Sequence, residues 1–540
     1  EKQRDAARAN LKTGLAAIEA MLVRTGADTL RDAPGSKPLR RELLSTAVRF
    51  CEDFMARHGD EPSVRSEAAR TRVLLASLME GLGEYDRAEE EFIAAQKLLR
   101  LHLAENPKDL PGQSMLALAD RHLARLKTTA DPDDLAARVS QIDLSIAMIE
   151  RLAEENPEDL GLRHSLALSI QAQAWIHQMR GDRETALVGQ TRALEIIEDL
   201  LAWRPTLPAF RETMARALSN QGMFLVDLGR PAEAKGSLER SKRLFRDLLR
   251  EKAPQNGWYS ALSVTERNLA RVYRTEGRKK EAEAEYDAAV RNSERLVRQD
   301  PDVPDYRTHL ATALRFRARF LESENRSDEA LRDFEQFREL MELALRTGEP
   351  NPQSRYEFAR TLSAIGEAHL KKGRTAEAEK AFTRGRELLT ALLTQSPGEP
   401  RFLAETAEAW RDLGRTAMRK EDFEEAERCM RRGLEVRRQA AAGAKPGSPE
   451  QVATLDQRLW LAHAIERSGK FGPAIDEYGG LSAESGDDDR LQGEIIWRLG
   501  TIAFHAKTTP DLRTRSFTQL ALASWRTMAP RWNSLAKSKR

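Results

Sequence analysis

Residues 406–430 read TAEAWRDLGRTAMRKEDFEEAERCM, and the spacing of three residues within this stretch decides the fold. Gly414 is small, Glu421 follows it after seven positions, and Ala426 follows it after twelve. A short connection between two helices makes them antiparallel neighbours, and small residues at matched positions allow the two helices to approach closely. The stretch therefore predicts two antiparallel helices that touch at Gly414 and Ala426 and are joined by a tight turn at Glu421.

The same three positions recur at a fixed period along the chain. The turn position advances in steps of 48 residues, with one step of 50, through Gly83, Asp131, Gly181, Gly229, Gly277, Asn325, Gly373, Glu421 and Gly469. Five residues after each turn position stands Ala88, Ala136, Ala186, Ala234, Ala282, Ala330, Ala378, Ala426 or Ala474. Seven residues before it stands Ala76, Ala124, Ala174, Gly222, Ala270, Ala318, Gly366, Gly414 or Ala462. Self-similarity at such a period is typical of repeat proteins and predicts consecutive helix pairs.

Turn residues and prolines mark the two ends of each helix pair. Eight of the nine turn positions are Gly, Asn or Asp, which tolerate the left-handed conformation that ends a helix, whereas Glu421 departs from this pattern. Prolines, which do not continue a helix, recur at Pro62, Pro107, Pro157, Pro205, Pro254, Pro301, Pro350, Pro397 and Pro446. Between them, apolar residues at three and four spacing, such as Phe245, Leu248 and Leu249, predict helices of roughly 20 residues.

These features resemble the tetratricopeptide repeat family. The family motif W-x2-L-G is intact as Trp410, Leu413 and Gly414, and its second-helix alanine is Ala426. The resemblance covers about residues 60–480 and implies an all-α fold, a right-handed solenoid of antiparallel helix pairs stabilised by packing between neighbours. The family repeats every 34 residues, so about 14 residues are added to each repeat here, most simply two turns per helix.

Both ends of the chain depart from the repeat pattern. Residues 1–58 predict a degenerate N-terminal helix pair, residues 59–480 nine helix pairs, and residues 481–540 a C-terminal helical cap and tail. A cap is expected because the last repeat has to cover its open apolar face. The chain begins with Glu1 rather than Met, which suggests a piece of a longer protein.

Composition and motif searches argue against several classes of function. The 540 residues include 87 Lys or Arg and 85 Asp or Glu, a net charge of +2 that argues against a nucleic-acid-binding protein. No run of about 18 apolar residues is present, so no direct membrane insertion by this segment is expected. The two cysteines and nine histidines form no CxxC or HExxH motif, and no catalytic constellation is found. We therefore predict a non-enzymatic segment without a metal site or a cofactor.

A second, broader resemblance concerns the order of segments. A charged first helix is followed by long helical repeats that are interrupted by ENPKDL at 105–110 and ENPEDL at 155–160. This order resembles the C-terminal repeat region of large bacterial serine/threonine protein kinases. No HRD, DFG or VAIK element occurs in this chain, so the catalytic domain would lie outside it. The resemblance would place the segment beyond a membrane, whereas the cytoplasm is the default compartment without it.

Arginines recur on one face of the predicted first helices. Three positions before the small residue stand Arg121, Arg267, Arg315 and Arg411, and one position after it stand Arg125, Arg271, Arg319 and Arg415. Residues four apart share a helix face, and Arg274 and Arg419 extend that face by one turn. In the resembling family these positions line the concave surface that receives peptides, and Asn268 occupies a position that often grips a peptide backbone.

The candidate peptide-binding residues are accordingly Arg267, Asn268, Arg271, Arg274, Arg315, Arg319, Arg411 and Arg415. Guanidinium groups present planar forks of donors that suit carboxylates and phosphates, so the predicted partner is an acidic or phosphorylated protein segment. The alternative is that these arginines only keep a long surface soluble and are neutralised by Glu266, Glu322 and Glu408. Self-association through the open ends of the array is a third possibility.

Overall fold

A computed structural model describes most of the chain. The described residues are 49, 65–82, 85–126, 132–251, 255–299, 301, 303–347, 352–443, 445, 447–485, 488–504 and 509–538. They form helices joined by short turns, which confirms the predicted all-α fold. The predicted N-terminal helix pair of residues 1–58 lies, apart from Arg49, outside the described residues.

The chain divides into two compact units, the first ending at Asn325 and the second beginning at Arg326. The helices of the first unit are α1 Arg65–Leu82, α2 Tyr85–Glu105, α3 Leu110–Leu126, α4 Pro132–Glu155, α5 Leu160–Arg180, α6 Arg183–Trp203, α7 Pro208–Asp227, α8 Pro231–Leu248, α9 Asn256–Thr275, α10 Lys279–Gln299 and α11 Pro304–Ser323. Consecutive helices pack against each other, and the odd-numbered first helices of successive pairs also touch directly.

The second unit repeats this arrangement. Its helices are α12 Ser327–Thr347, α13 Pro352–Lys371, α14 Thr375–Gln395, α15 Pro400–Arg419, α16 Phe423–Ala440, α17 Pro449–Arg467, α18 Phe471–Glu484, α19 Asp489–Phe504 and α20 Pro510–Ser538. The first helices α13, α15 and α17 contact one another in sequence, and α20 packs on both α18 and α19. The predicted boundaries near residues 58 and 480 stay predictions.

The backbone has a positive φ at every described turn position. The residues with positive φ at these positions are Gly181, Gly229, Gly277, Asn325, Gly373, Glu421 and Gly469, while Gly83 and Asp131 lie outside the described residues. At Gly373 the N–H donates to the carbonyl of Leu370 at 3.1 Å, and the N–H of Arg374 donates to His369 at 2.9 Å. This pair of bonds satisfies carbonyls that the helix end leaves without a partner.

Glu421 adopts the same corner although its side chain disfavours it. Its φ is 61°, its N–H donates to Met418 at 3.2 Å, and the N–H of Asp422 donates to Ala417 at 3.0 Å. The left-handed conformation costs a residue with a Cβ atom roughly 1–2 kcal/mol. The corner therefore imposes its conformation on a residue that the sequence pattern identified as unsuitable.

The small first-helix residues are the places where paired helices come closest. A Cβ atom added at Gly366 would lie 2.4 Å from a ring carbon of Phe382, and one added at Gly414 would lie 2.6 Å from the methyl carbon of Met430. At Gly222 the corresponding distance to Leu238 is 2.4 Å. The facing residue stands four positions after the repeat alanine, so the helix contact predicted from the small column is confirmed.

The alanine column is buried at eight of its nine positions, and Ala136 is the exception. Ala136 is exposed, whereas Leu135, one residue earlier on α4, is buried in its place. One residue corresponds to a rotation of about 100° about a helix axis, so the buried face of α4 is shifted by one position. The predicted contact at Ala136 is therefore wrong, in the repeat that is followed by the single 50-residue step.

Ion pairs link neighbouring repeats through their second helices. Within the first unit, Arg240 pairs with Glu198 at 2.7 Å and Lys242 pairs with Glu285 at 2.5 Å, each partner lying about one repeat away. In the second unit, Arg384 pairs with Glu342 at 2.9 Å. The near balance of positive and negative residues thus serves contacts between repeats as well as solubility.

Replacing Gly366 by alanine should destabilise the α13–α14 pair. Overpacking against the Phe382 ring costs about 1–3 kcal/mol, which exceeds the roughly 0.5–1 kcal/mol that alanine contributes to a helix interior relative to glycine. Hydrogen–deuterium exchange of α13 and α14 amides measures the local loss. Gly236, on an exposed part of α8 with no atom within 4 Å of an added Cβ, is the control, and Gly236→Ala should be stabilising. Equal stabilisation by both changes would contradict the close contact.

Replacing Glu421 by glycine should stabilise the α15–α16 corner by about 1 kcal/mol, because glycine adopts positive φ without steric strain. The reverse exchange, Gly373→Glu at the equivalent corner of the preceding repeat, should destabilise by a similar amount, since an added Cβ there meets nothing within 4 Å and only the backbone is affected. Thermal unfolding of both variants measures the two changes in stability. A loss of stability in Glu421→Gly would mean that the side chain itself stabilises the corner.

Candidate functional site

The candidate site lies on the first helices of the first unit, where α9 contacts α11. We use the name arginine cluster for Arg267, Asn268, Arg271, Arg274, Arg315 and Arg319. The first four residues are on α9 and the last two are on α11. Helical spacing of three and four places each set on one face, so the contact between α9 and α11 brings the two sets together.

Arg267 carries a positive charge that no carboxylate of the described residues neutralises. Its guanidinium carbon lies 4.9 Å from the centre of the Phe316 ring, and that of Arg315 lies at 4.9 Å from the same ring. The Nε of Arg267 is buried without a hydrogen-bond partner. Burial, and then the nearby positive charges of Arg315 and Arg271, lowers the pKa of Arg267 to about 10. The group stays charged at neutral pH, at a cost in stability.

Asn268 and Arg271 add donors next to Arg267. Asn268 is only 3% exposed, yet its Nδ2 atom has no hydrogen-bond partner. Arg271 donates through Nη2 to Asp227 at 2.8 Å, and that carboxylate also accepts a bond from Gln178 at 2.9 Å. A buried amide without a partner is rare in folded proteins, which marks this position as one where a ligand atom would be favourable.

The other two predicted members of the cluster extend it along the helices. Arg274 is exposed one turn beyond Arg271, near the C-terminal end of α9. Arg319 is half-buried one turn beyond Arg315 on α11. The donors therefore follow the helix axes over about two turns.

Arg411 and Arg415 lie in the second unit and have a different environment. Arg411 pairs with Glu408, and Arg415 pairs with Glu367 of the preceding repeat and with Asp412 at 3.2 Å. Asp412 is 3% exposed and accepts a hydrogen bond from Ser363 at 2.9 Å, and burial raises its pKa to about 6. These two arginines are balanced by acids, as the alternative interpretation of the arginine columns expected for Arg411 and Glu408.

Phe316 is the residue of this site that sequence reasoning missed. It supports two guanidinium groups on one ring, an arrangement stabilised by cation–π attraction. The available sequence signal is its place three residues before Arg319, a spacing that puts both residues on one face of the helix. Only the contact of α9 with α11 shows that the ring also meets Arg267.

Glu266 is a buried carboxyl on the same helix as Arg267. It is 1% exposed, accepts a hydrogen bond from the Asn292 amide at 2.8 Å and lies 3.7 Å from Arg246 Nη2. Burial raises the pKa of Glu266 to about 7, against an ordinary value of 4.5, although the Asn292 bond opposes the shift. The sequence-based alternative assigned Glu266 to neutralise the arginines, but its described partners are Asn292 and Arg246 rather than Arg267.

The stability of α9 should therefore fall as pH rises from about 4.5 to about 7. Over that window the unfolded carboxyl loses its proton while the folded carboxyl keeps it, so the folded state is increasingly penalised; above both pKa values the penalty is constant. Glu266→Gln should be more stable than the parent by about 1–3 kcal/mol at pH 8 and similar to it at pH 4. Exchange rates of α9 amides at both pH values measure the difference. Glu281→Gln, at a half-exposed partner of Arg278, is the control and should show no such gain.

Comparisons with known proteins agree with this architecture. Family models described as tetratricopeptide repeat match residues 268–295 and residues 406–449. The first match covers the C-terminal part of α9, from Asn268, and most of α10, and the second covers most of α15 and all of α16. The chain is thus an all-helical protein of which two segments are similar to tetratricopeptide repeats. No curated protein matches its sequence.

Solved structures with a similar arrangement of helices include three bacterial or archaeal proteins. BtubC from P. vanneervenii is 19% identical, covers 48% of this chain and 92% of its own, and has a TM-score of 0.38. A thermophilic tetratricopeptide repeat protein from Thermus thermophilus is 23% identical, covers 46% and 99%, and has a TM-score of 0.27. A signal-transduction ATPase with a tetratricopeptide repeat sensor from Pyrococcus horikoshii is 10% identical, covers 83% and 54%, and has a TM-score of 0.43.

Within the described part of the chain, no helix combines the length and the apolarity that crossing a bilayer requires.

Proposed function

We propose that this chain is a non-catalytic protein-interaction scaffold whose arginine cluster on α9 and α11 binds acidic or phosphorylated protein segments. The observation that carries this proposal is the lack of compensation at Arg267 and Asn268. The first is a cation whose Nε atom is buried and which has no acidic partner, and the second is a buried amide with an unused donor.

Both groups are unfavourable for the free protein. A buried charge without a counter-charge and a buried donor without an acceptor each lower stability. An anionic ligand would remove both penalties, since a carboxylate or phosphate accepts the two parallel bonds that a guanidinium offers. A peptide carbonyl would accept a hydrogen bond from the Asn268 amide. The Phe316 ring packs against the guanidinium groups of Arg267 and Arg315.

The net charge of the chain and the packing of Phe316 favour a protein segment over nucleic acid as the ligand. A net charge of +2 gives little long-range attraction for a polyanion. The Phe316 ring packs against two guanidinium groups and is therefore not open for base stacking. A short acidic segment needs only the local positive charge that the cluster provides.

The variant Arg267→Met should weaken binding while making the protein more stable. Affinity for a fluorescein-labelled hexaglutamate peptide, measured by anisotropy at low salt, should fall about tenfold, as expected for loss of one charge-assisted contact. Thermal unfolding should show a gain of about 1–2 kcal/mol, because an uncompensated buried charge is removed. Arg298→Met removes one exposed charge from α10 and is the matched control, expected to change neither quantity.

Arg271 is a less suitable residue for this test, because charge reversal there would set a new carboxylate against Asp227. Peptide affinity should decrease steeply with salt in the parent and less steeply in Arg267→Met. An unchanged affinity in Arg267→Met, or one insensitive to salt, would contradict the proposed site and support the interpretation of the arginines as solubilising surface.

Two further predictions from the sequence concern the context of the chain. Assignment to the tail of a bacterial serine/threonine kinase, with a role in sensing or substrate recruitment, stays a prediction, and the gene sequence preceding the codon for Glu1 tests it. Self-association through the ends of the array also stays a prediction. Light scattering over a range of concentrations distinguishes a monomer from a self-associating protein.

A further inference from the structure

The second unit contains a cavity of about 530 Å³ between the first helices α15, α17 and α19. Its volume is within the range of about 300–1,000 Å³ that small-molecule sites occupy. The lining side chains are Met418, Leu459 and Trp460, the arginines Arg411, Arg467, Arg490 and Arg498, His463, and the acids Asp456 and Glu494. Arg411 is paired with Glu408, so the cavity combines an apolar wall with an excess of one positive charge.

The two acids of the cavity are already satisfied by arginines. Asp456 accepts a hydrogen bond from Arg490 at 2.6 Å, and Glu494 accepts one from Arg498 at 3.0 Å. Arg467 is exposed at the end of α17, where its guanidinium packs 5.0 Å from the Phe423 ring centre. No carboxylate within the described ranges pairs with Arg467. Its charge is therefore available to a ligand.

His463 supplies a buried polar atom at the cavity wall. The residue is 8% exposed, and its ring lies edge-on to Trp460 with centroids 5.7 Å apart. Its Nε2 atom is 3.4 Å from a Glu494 oxygen, but the geometry is not that of a hydrogen bond and the atom has no hydrogen-bond partner. Burial, with a contribution from Arg498, lowers the pKa of His463 to about 3, so the ring is neutral at physiological pH.

We propose that this cavity binds a small aromatic anion, a planar ring that carries a carboxylate or phosphate group. The ring packs against Trp460 and Leu459, the anionic group pairs with Arg467, and His463 Nε2 forms a hydrogen bond to the ligand. Apolar walls with a few convergent polar groups are typical of small-molecule sites, and guanidinium groups suit planar anions. The site is separate from the arginine cluster of the first unit and does not depend on it.

Calorimetric titration of the full chain with phenyl phosphate, benzoate, inorganic phosphate and benzyl alcohol tests the proposal. Phenyl phosphate or benzoate should bind saturably, and the two half-ligands should bind at least about tenfold more weakly, because each lacks either the ring or the charge. Arg467→Gln should weaken binding of the aromatic anions about tenfold. Arg432→Gln removes an exposed charge that pairs with Glu435 on α16 and should change nothing.

Two further experiments distinguish a protein segment from a free small molecule as the ligand, and the cavity from the arginine cluster as the binding site. A phosphotyrosine tripeptide that binds more tightly than phenyl phosphate would identify a protein segment as the source of the ring, and weaker binding would identify a free small molecule; both support the proposed chemistry. Arg267→Met should leave these affinities unchanged, so the two proposed sites fail independently. Lack of saturable binding of both aromatic anions, or equal affinities in the parent and Arg467→Gln, would overturn the proposal. Arg467 is exposed, so the variant is expected to fold, and circular dichroism checks this.

Discussion

The close approach of two helices at a single small residue is the constraint on which each repeat depends. A bulky side chain of the second helix, such as Phe382 or Met430, occupies the space that a first-helix Cβ would take at Gly366 or Gly414. This contact fixes the distance within a pair, while the left-handed corner residue fixes the reversal of the chain. Within the described pairs, these two features set how a first helix lies against its second helix.

Charge is used differently on the two faces of the repeats. Second-helix charges form ion pairs with neighbouring repeats, and on the first helices Arg415 is neutralised by Glu367 and Asp412. Arg267 differs from these residues because the charges that act on it are positive, those of Arg315 and Arg271. Arg271 is paired with Asp227, whereas no carboxylate among the described residues pairs with Arg267, and the proposed acidic ligand would supply that negative charge.

Sequence reasoning could predict what depends on spacing along one chain, and less of what depends on spacing between repeats. The small column, the buried alanines and the corner residues follow from local helix geometry, which is why they could be identified before the structure. The neutralisation of Arg415 depends on Glu367, 48 residues away, and the exposure of Ala136 depends on a one-residue rotation of α4. Neither the stacking distance between repeats nor the orientation of one helix can be derived from a periodic pattern alone. The Phe316 contact with Arg267 and the cavity beside Trp460 also depend on how neighbouring repeats stack, so a periodic pattern alone does not predict them.

Ion pairs between second helices connect a repeat with both of its neighbours. On α8, Arg240 pairs with Glu198 of the preceding repeat and Lys242 pairs with Glu285 of the following repeat. Arg192 of α6 pairs with Glu150 at the same repeat positions as Arg240 and Glu198, so α6 carries both members of this recurring pair. A tandem copy of that repeat would place its Arg192 beside Glu198 of the original, so duplication of the unit would preserve the ion pair between neighbouring second helices.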